Sequence, residues 1–304
     1  MRSFGENTWT PLLLLVGVGA LLCLVALRLE STRDLGAGLL PDHPGPRTAS
    51  TFTQTPFGLT LRLQRWSILG WSIGIIIGGL FYGTVATSMA NLLGGASVSA
   101  KVFIGSLNGD ILTGLLGYFT MANALLIAAF VLQSVATVRA EEADGSVELQ
   151  WTGALSRVRW AASRIAVPAI VSLVVLAISG YAEGASYGAA IHDSSQPAHY
   201  AMLSIAYWPT MLLFIGLVVF LTGWLPRVAL TASWVIYGLL VLVSMFGALF
   251  TLPKWVTDNG PFTAIEHLST KNPDLLPLIV LAALAVILTA LGLLRLRSRD
   301  FVSS

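Results

Sequence analysis

The sequence is poor in charged residues, which make up 11% of its 304 positions, whereas a soluble globular domain carries about 25%. So few charges cannot cover a water-facing surface, and a soluble domain is therefore excluded. The formal net charge of +2 excludes the basic footprint of a nucleic-acid binder. Cys23 is the only cysteine, so an intrachain disulfide is impossible. The 55% hydrophobic content and mean hydropathy of +0.79 indicate a polytopic membrane protein.

Motifs for catalysis and metal binding are also missing. No P-loop occurs and no lysine follows a glycine, so the chain cannot hold ATP phosphates in that way. Residues 70–74 read GWSIG, but a nucleophile elbow needs a strand–turn–helix context, and packing of small residues between helices explains the glycines better. His192 and His199 are expected to be solvated loop residues, because their spacing across Pro197 matches no known metal geometry. Neither an enzyme nor a metal protein is expected.

Charge-free stretches predict seven membrane-spanning helices in an all-α fold. About 20 apolar residues are needed to cross about 30 Å of hydrocarbon, and a charge at the centre costs about 2.5–3.5 kcal/mol. The first stretch is expected to be an uncleaved helix, because no small-x-small cleavage site follows it. The predicted spans lie within residues 7–27, 68–89, 111–138, 165–182, 194–226, 228–253 and 275–294.

The distribution of Lys and Arg predicts the orientation, since cytoplasmic loops are enriched in both. One side of the predicted topology carries four basic residues: Arg2, Lys101, Lys254 and Lys271. The other carries thirteen: Arg28, Arg33, Arg47, Arg62, Arg65, Arg139, Arg157, Arg159, Arg164, Arg227, Arg295, Arg297 and Arg299. The N-terminus is therefore predicted outside and the C-terminus in the cytoplasm.

Polar residues within the predicted spans are few. Asn91, Asn123 and Gln133 are uncharged, while Asp110 and Glu183 fall at span ends. Glu183 is assigned to an external loop, residues 183–200. Intramembrane ionisable residues usually mark ion coupling, so an ion-coupled transporter would lack its expected relay.

The spans divide the chain into a leading transmembrane helix (1–29), a cytoplasmic linker (30–56) and a six-helix domain (67–304). The linker contains three prolines within residues 41–46, which prevent a regular helix there. Between linker and domain, residues 57–66 predict a short amphipathic helix at the membrane interface, with Arg62, Arg65 and Trp66. The cytoplasmic loop 139–160 is the most charged segment. It is either a solvated loop or a docking element for a cytoplasmic partner.

These segments together resemble the second half of an ABC-2-type permease, from the group often described as exporters of polyketide antibiotics. No single motif is specific, but their order and spacing are shared over nearly the whole chain. They are the linker residues 34–41, the amphipathic helix 61–66 leading into 69–74, the loop residues 139–145 and 155–160, and the segments 225–227, 253–256 and 261–263.

The resemblance implies the permease subunit of an ATP-binding-cassette exporter in the bacterial cytoplasmic membrane, carrying hydrophobic or amphipathic compounds such as antibiotics. ATP and Mg would be bound by a dimer of separate ATPase subunits, and this chain would hold no cofactor. The family's coupling helix would correspond to loop 139–160, and its connector helix to residues 57–66. The residues that would then contact the ATPase are Glu141, Glu142, Gly145, Glu148, Trp151 and Arg157.

One feature departs from the family pattern. Full permeases of this group have two six-helix halves, whereas this chain has one half and a leading helix. We expect a second membrane chain to supply the N-terminal half, with pairing of two copies as the alternative; a natural split and a truncation are not distinguished. Two other functions stay open at this stage: an ion-coupled secondary transporter and a non-transporting membrane partner. The cargo and the residues that contact it are not identified by the sequence.

Overall fold

The computed structural model describes residues 10–31, 50–94, 111–143, 157–247, 260–263 and 275–298. These ranges contain helices and turns but no strand. In chain order the helices are α1 (Thr10–Ser31), α2 (Pro56–Gly94), α3 (Ile111–Ala143), α4 (Arg157–Ile191), α5 (Gln196–Ile205), α6 (Trp208–Trp224), α7 (Ala229–Phe246) and α8 (Leu276–Ser298).

Within the described ranges, seven helical segments are long and apolar enough to cross a membrane, which confirms the predicted number. Six of them are single helices. The fifth, Gln196–Trp224, consists of α5 and α6 with a turn at Ala206 and Tyr207 between them. Pro209 lies in the first turn of α6, where its missing N–H has no helical partner to lose.

The chain divides into two compact units, Met1–Ala49 and Ser50–Ser304. The first contains α1, whose 22 residues extend for about 33 Å at 1.5 Å per residue. A single helix cannot bury its own side chains, and the large apolar side chains of α1 are exposed. Such a helix is stable in a lipid environment, because its backbone groups are satisfied internally.

The second unit is a bundle with α3 at its centre. In the span Thr113–Thr137, 72% of the 18 most apolar consecutive residues are buried, more than in any other span that the structure describes. Helix α2 packs along α4, and α8 packs along α6. The second pair approaches closely at Gly292, where a Cβ atom would lie 2.7 Å from the carbonyl oxygen of Val219. Small residues permit such approaches between membrane helices.

The outer helices of this bundle expose large apolar side chains. Of the 18 most apolar consecutive residues, only 11% are buried in α7, 11% in α8 and 17% in α2. Exposed side chains on these helices include Ile73, Ile77, Phe81, Val235, Leu239, Ile279, Val286 and Leu294. Apolar surface of this extent is typical of a protein that faces lipid or another membrane chain.

The expected short helix 57–66 is not a separate element in the structure. Helix α2 begins at Pro56 and continues to Gly94, so the amphipathic segment and the second span form one helix of 39 residues, about 58 Å long. No proline follows Pro56 within this helix, and a glycine such as Gly70 does not interrupt the backbone hydrogen bonds of a helix. The change of side-chain character near residue 66 is therefore not accompanied by a break.

The predicted external loop 183–200 is wrong. Helix α4 extends to Ile191 and α5 begins at Gln196, so the connection has only four residues. His192 directly follows α4 with a φ of 59°, the left-handed conformation often found after a helix C-terminus. Glu183, placed in the loop by its charge, lies inside α4 and is fully buried.

Candidate functional site

The charged loop 139–160 is flanked by two long helices of the bundle. Helix α3 ends at Ala143 and α4 begins at Arg157. Glu141 and Glu142 lie in the last turn of α3, and the structure describes the backbone of these two residues and of Arg157 but not their side chains. Three other predicted coupling residues, Gly145, Glu148 and Trp151, lie outside the described residues.

Near the end of α3 that leads into this loop, Gln64 of α2 is hydrogen-bonded to two residues of α3. Its Nε2 donates to the backbone oxygen of Ser134 at 3.2 Å and to Thr137 Oγ1 at 2.9 Å. Ser134 Oγ donates in turn to Gln64 Oε1 at 2.5 Å. Gln64 and Ser134 are both buried. The amide therefore joins α2 to α3 with both of its polar atoms satisfied.

A second contact joins the same part of α2 to α4. The guanidinium of Arg164 donates to Thr60 Oγ1, and Thr60 Oγ1 donates to the backbone oxygen of Pro56 at 2.8 Å. Ser163 Oγ lies 3.3 Å from Thr60 Oγ1. Thr60 is 0% and Arg164 1% exposed. A buried cation needs such partners, since removing it from water without hydrogen bonds is costly.

We call these six residues the stem cluster: Thr60, Gln64, Ser134, Thr137, Ser163 and Arg164. They connect the start of α2 with the two helices that carry the charged loop. Buried hydrogen bonds hold three helices in a defined arrangement, because separating them would leave polar groups unsatisfied. A displacement of the loop ends would therefore be transmitted to α2.

Sequence reasoning missed Thr60 and Gln64. The three residues predicted for this segment, Arg62, Arg65 and Trp66, are all exposed, and the Arg65 guanidinium carbon lies 5.1 Å from the centre of the Trp66 ring. A signal was present, since Thr60 and Gln64 are spaced i, i+4 and share one helix face. The charged residues of this segment are exposed, whereas its uncharged polar residues pack against α3 and α4.

A groove of about 580 Å³ lies between α2 and α3 on the outside of the bundle. Its wall includes Gly70 and Gly74, where an added Cβ atom would meet nothing within 4 Å. Trp71 Nε1 donates to Gln133 Oε1 at 2.8 Å at the edge of this groove. Gly70, Trp71 and Gly74 of the GWSIG segment thus line an open apolar surface on a helix. A helix at this position excludes the strand–turn–helix context of a nucleophile elbow.

The turn between α4 and α5 contains the carboxylate of Asp193. Its oxygens accept from Gln196 Nε2 at 2.6 Å, from the Ser195 backbone N–H at 2.9 Å and from Ser195 Oγ at 2.8 Å. These bonds lower the pKa of Asp193 below its usual value, the Gln196 bond most. His192 and His199 are exposed, and no group of three metal-ligating side chains occurs in the part of the chain that the structure describes.

Comparison with known proteins identifies the family. The family described as "Multidrug efflux system permease Rv1217c, C-terminal domain" matches residues 54–297. The chain belongs to this family. Helices α2–α7, the stem cluster and all but the last residue of α8 lie within the match, whereas α1 precedes it.

The similarity to one relative extends beyond the matched residues and includes α1. The multidrug efflux system permease protein Rv1217c of Mycobacterium tuberculosis (strain ATCC 25618 / H37Rv) is 31% identical over 307 residues. The similarity covers 99% of this chain and 55% of the relative, so the chain spans about half the length of that permease. As a member of this family with seven membrane-span-like helices among its described residues, the chain is a multi-pass protein of the bacterial cell membrane.

Proposed function

We propose that this chain is one membrane half of an ATP-binding-cassette exporter for hydrophobic or amphipathic compounds, and that loop 139–160 docks on the ATPase. The stem cluster is the observation that supports this proposal most directly. It ties both ends of the loop to α2, so that a force on the loop would move the membrane helices. ATP and Mg would be bound by the partner subunits.

The residues proposed to couple to the ATPase are Glu141, Glu142, Gly145, Glu148, Trp151 and Arg157. The residues proposed for the connector segment at the start of α2 are Arg62, Arg65 and Trp66. The exposed positions of the last three are compatible with contact to a partner or to lipid headgroups. Acidic side chains suit docking on a complementary basic surface, where charge pairing gives orientation and association rate.

A second membrane half is proposed to cover the groove between α2 and α3. The relative Rv1217c is nearly twice as long as this chain, which supports a partner of similar size. Gly70 and Gly74 lie open in the groove at a spacing of four residues, and small residues at this spacing allow close approach of another membrane helix. A separate chain is the preferred partner, and a second copy is the alternative.

The partners can be identified by purifying the tagged chain from its native cells in a mild detergent, with mass spectrometry of the proteins that remain bound. We expect an ATPase with a P-loop and a second hydrophobic chain. Recovery of the ATPase without the second chain would favour pairing of two copies. A well-folded preparation with neither partner would contradict the proposal and favour a transporter that works without ATP.

Removing the acidic pair of the loop tests the coupling assignment. The double variant Glu141→Ala/Glu142→Ala is expected to retain at most about one tenth of the co-purified ATPase, since a loss of about 1.4 kcal/mol weakens binding tenfold. Asp193→Ala is the matched control, because it removes a carboxylate at the opposite end of the bundle. Equal ATPase recovery in the double variant and the control would remove this loop from the docking surface.

The orientation is tested by labelling single cysteines in intact cells, in a background in which Cys23 is replaced by serine. A cysteine at position 194 is expected to react with a thiol reagent that cannot cross the membrane, whereas one at position 146 is expected to react only after the cells are opened. The basic residues favour this arrangement. The reverse labelling pattern would overturn the assigned orientation.

A further inference from the structure

Glu183 is a buried carboxyl group inside a helix of the membrane-spanning bundle. It lies in the span Ala161–Ile191 and is 0% exposed. The sequence predicted Glu183 at the end of a span, in an external loop, and its position inside the span corrects that prediction. An ionised carboxylate is strongly disfavoured away from water unless a cation or several hydrogen bonds compensate for the lost hydration.

Two neighbouring helices pack closely against α4 around Glu183, whose side chain is fully buried. On the α2 side, a Cβ atom at Gly83 would collide with the backbone oxygen of Glu183, and one at Gly79 would lie 2.6 Å from that of Ser179. On the α5 side, a Cβ atom at Gly180 would lie 2.5 Å from the backbone oxygen of Tyr200. Helices α2 and α5 thus pack closely against α4 at Glu183 and in the turn of α4 that precedes it.

No basic side chain among the described residues compensates for Glu183. Arg164 lies 19 residues earlier on α4, about 28 Å along the axis. The arginines of α2, α3 and α8 are at that same distant end, and α6 has no titratable side chain. The titratable groups of the helices and turn at the Glu183 end are Tyr82, Tyr118, Tyr187, Tyr200, Tyr237, Asp193 and the exposed Tyr181, His192 and His199.

The hydroxyl of Thr120 indicates which protonation state fits. Its Oγ1 lies 3.0 Å from the backbone oxygen of Leu116 and 3.1 Å from Glu183 Oε1. A hydroxyl has one hydrogen, and the carbonyl of Leu116 can only accept. Both contacts are complete hydrogen bonds when Thr120 donates to Leu116 and the neutral carboxylic acid of Glu183 donates to Thr120.

Further polar atoms are enclosed beside this pair. Asn123 lies three residues after Thr120 on the same face of α3 and is 2% exposed. Its Nδ2 and Oδ1, together with Glu183 Oε2, are buried and make no hydrogen bond in the structure. An apolar residue would pack at Asn123 without this cost, so the amide points to a polar role of the site.

We propose that Glu183, with Thr120 and Asn123, is a proton-binding site of the permease domain. The carboxyl group is neutral while α2 and α5 enclose it, as in this structure. When these helices separate from α4, water reaches the site, the O–H bond breaks and the proton passes to water. Closure reverses the step, so the conformational change takes up or releases one proton.

Infrared spectroscopy of the full chain in lipid bilayers at pH 7 tests the protonation directly. We expect the carbonyl band of a protonated carboxylic acid in the wild type, its loss in Glu183→Gln, and its retention in Asp193→Asn, which removes the carboxylate of the nearby turn. Thr120→Val should shift the band, because the hydrogen-bond partner is removed. This variant and the wild type suffice if Glu183→Gln does not fold. A wild type without the band, or a band that persists in Glu183→Gln, would overturn the proposal.

The coupling of proton release to helix separation rests on the proposed export function. A second measurement tests this coupling separately from the proton site. Export of a fluorescent amphipathic dye should change with external pH in the wild type and become pH-independent in Glu183→Gln. A pH profile shared by both would overturn the conformational link, whatever the infrared result. Absence of a bound ATPase, with the infrared band present, would contradict the proposed function and leave the proton site supported.

Discussion

Replacing Gly83 by alanine is expected to destabilise the folded chain by about 1–3 kcal/mol, the usual cost of overpacking a well-packed core. The added Cβ atom would collide with Ser186 Oγ and with the backbone oxygen of Glu183, and it would lie 2.9 Å from the backbone nitrogen of Tyr187. A hydroxyl can rotate away, but two backbone atoms of α4 cannot. The helices α2 and α4 must therefore separate.

The effect of Gly83→Ala is measured by heating the purified chain in detergent and following the folded fraction by size-exclusion chromatography. We expect the apparent melting temperature to fall by about 2–12 °C, at about 2–4 °C per kcal/mol for a domain of this size. Gly74→Ala is the matched control on the same helix, because nothing lies within 4 Å of its Cβ position. A Gly74→Ala variant as unstable as Gly83→Ala would contradict the packing of α2 on α4.

Replacing Phe262 by alanine is expected to destabilise the folded chain more than Gly83→Ala does, by about 3–5 kcal/mol. Phe262 belongs to the short described segment 260–263, is 0% exposed and inserts into the bundle core. Its ring centre lies 6.2 Å from that of Tyr207 and 5.9 Å from that of Phe214. Thr210 Oγ1 also donates to the backbone oxygen of Pro261 at 2.7 Å, which holds the segment against α6.

The same melting measurement checks Phe262→Ala, with Phe81→Ala as its control. Phe81 is the same residue type on α2, but 60% of its surface is exposed. Removing its ring therefore creates no cavity, and a change below about 1 kcal/mol is expected. If the two variants melt alike, segment 260–263 does not belong to the core in solution.

Much of the fold could be predicted from local composition. The cost of a charge in hydrocarbon acts on each segment separately, so the seven spans follow from charge-free stretches without knowledge of their neighbours. The observed start of α3 at Ile111 and start of α8 at Leu276 agree with this. The predicted span ends are wrong where a helix continues past its apolar part, as at both ends of α4.

The candidate site was predicted less completely. The charged loop was recognised by composition, but the stem cluster beneath it was not, because uncharged polar residues such as Thr60 and Gln64 carry no distinctive signal. Their role depends on Ser134 and Ser163, which are 70 and 103 residues away in the chain. Such pairs become visible only when three helices are placed side by side.

The sequence by itself determined that the chain is a seven-span membrane protein, because hydrophobicity and length set the cost of insertion for each helix alone. Only the tertiary structure decided which apolar helices form the core. Helices α3 and α8 are both rich in apolar residues, yet α3 is central and few residues of α8 are buried. The burial of Glu183 was likewise decided only by the tertiary structure. Its charge suggested a loop, whereas glycines on α2 and α4 let the helices pack so closely that the carboxyl group is removed from water.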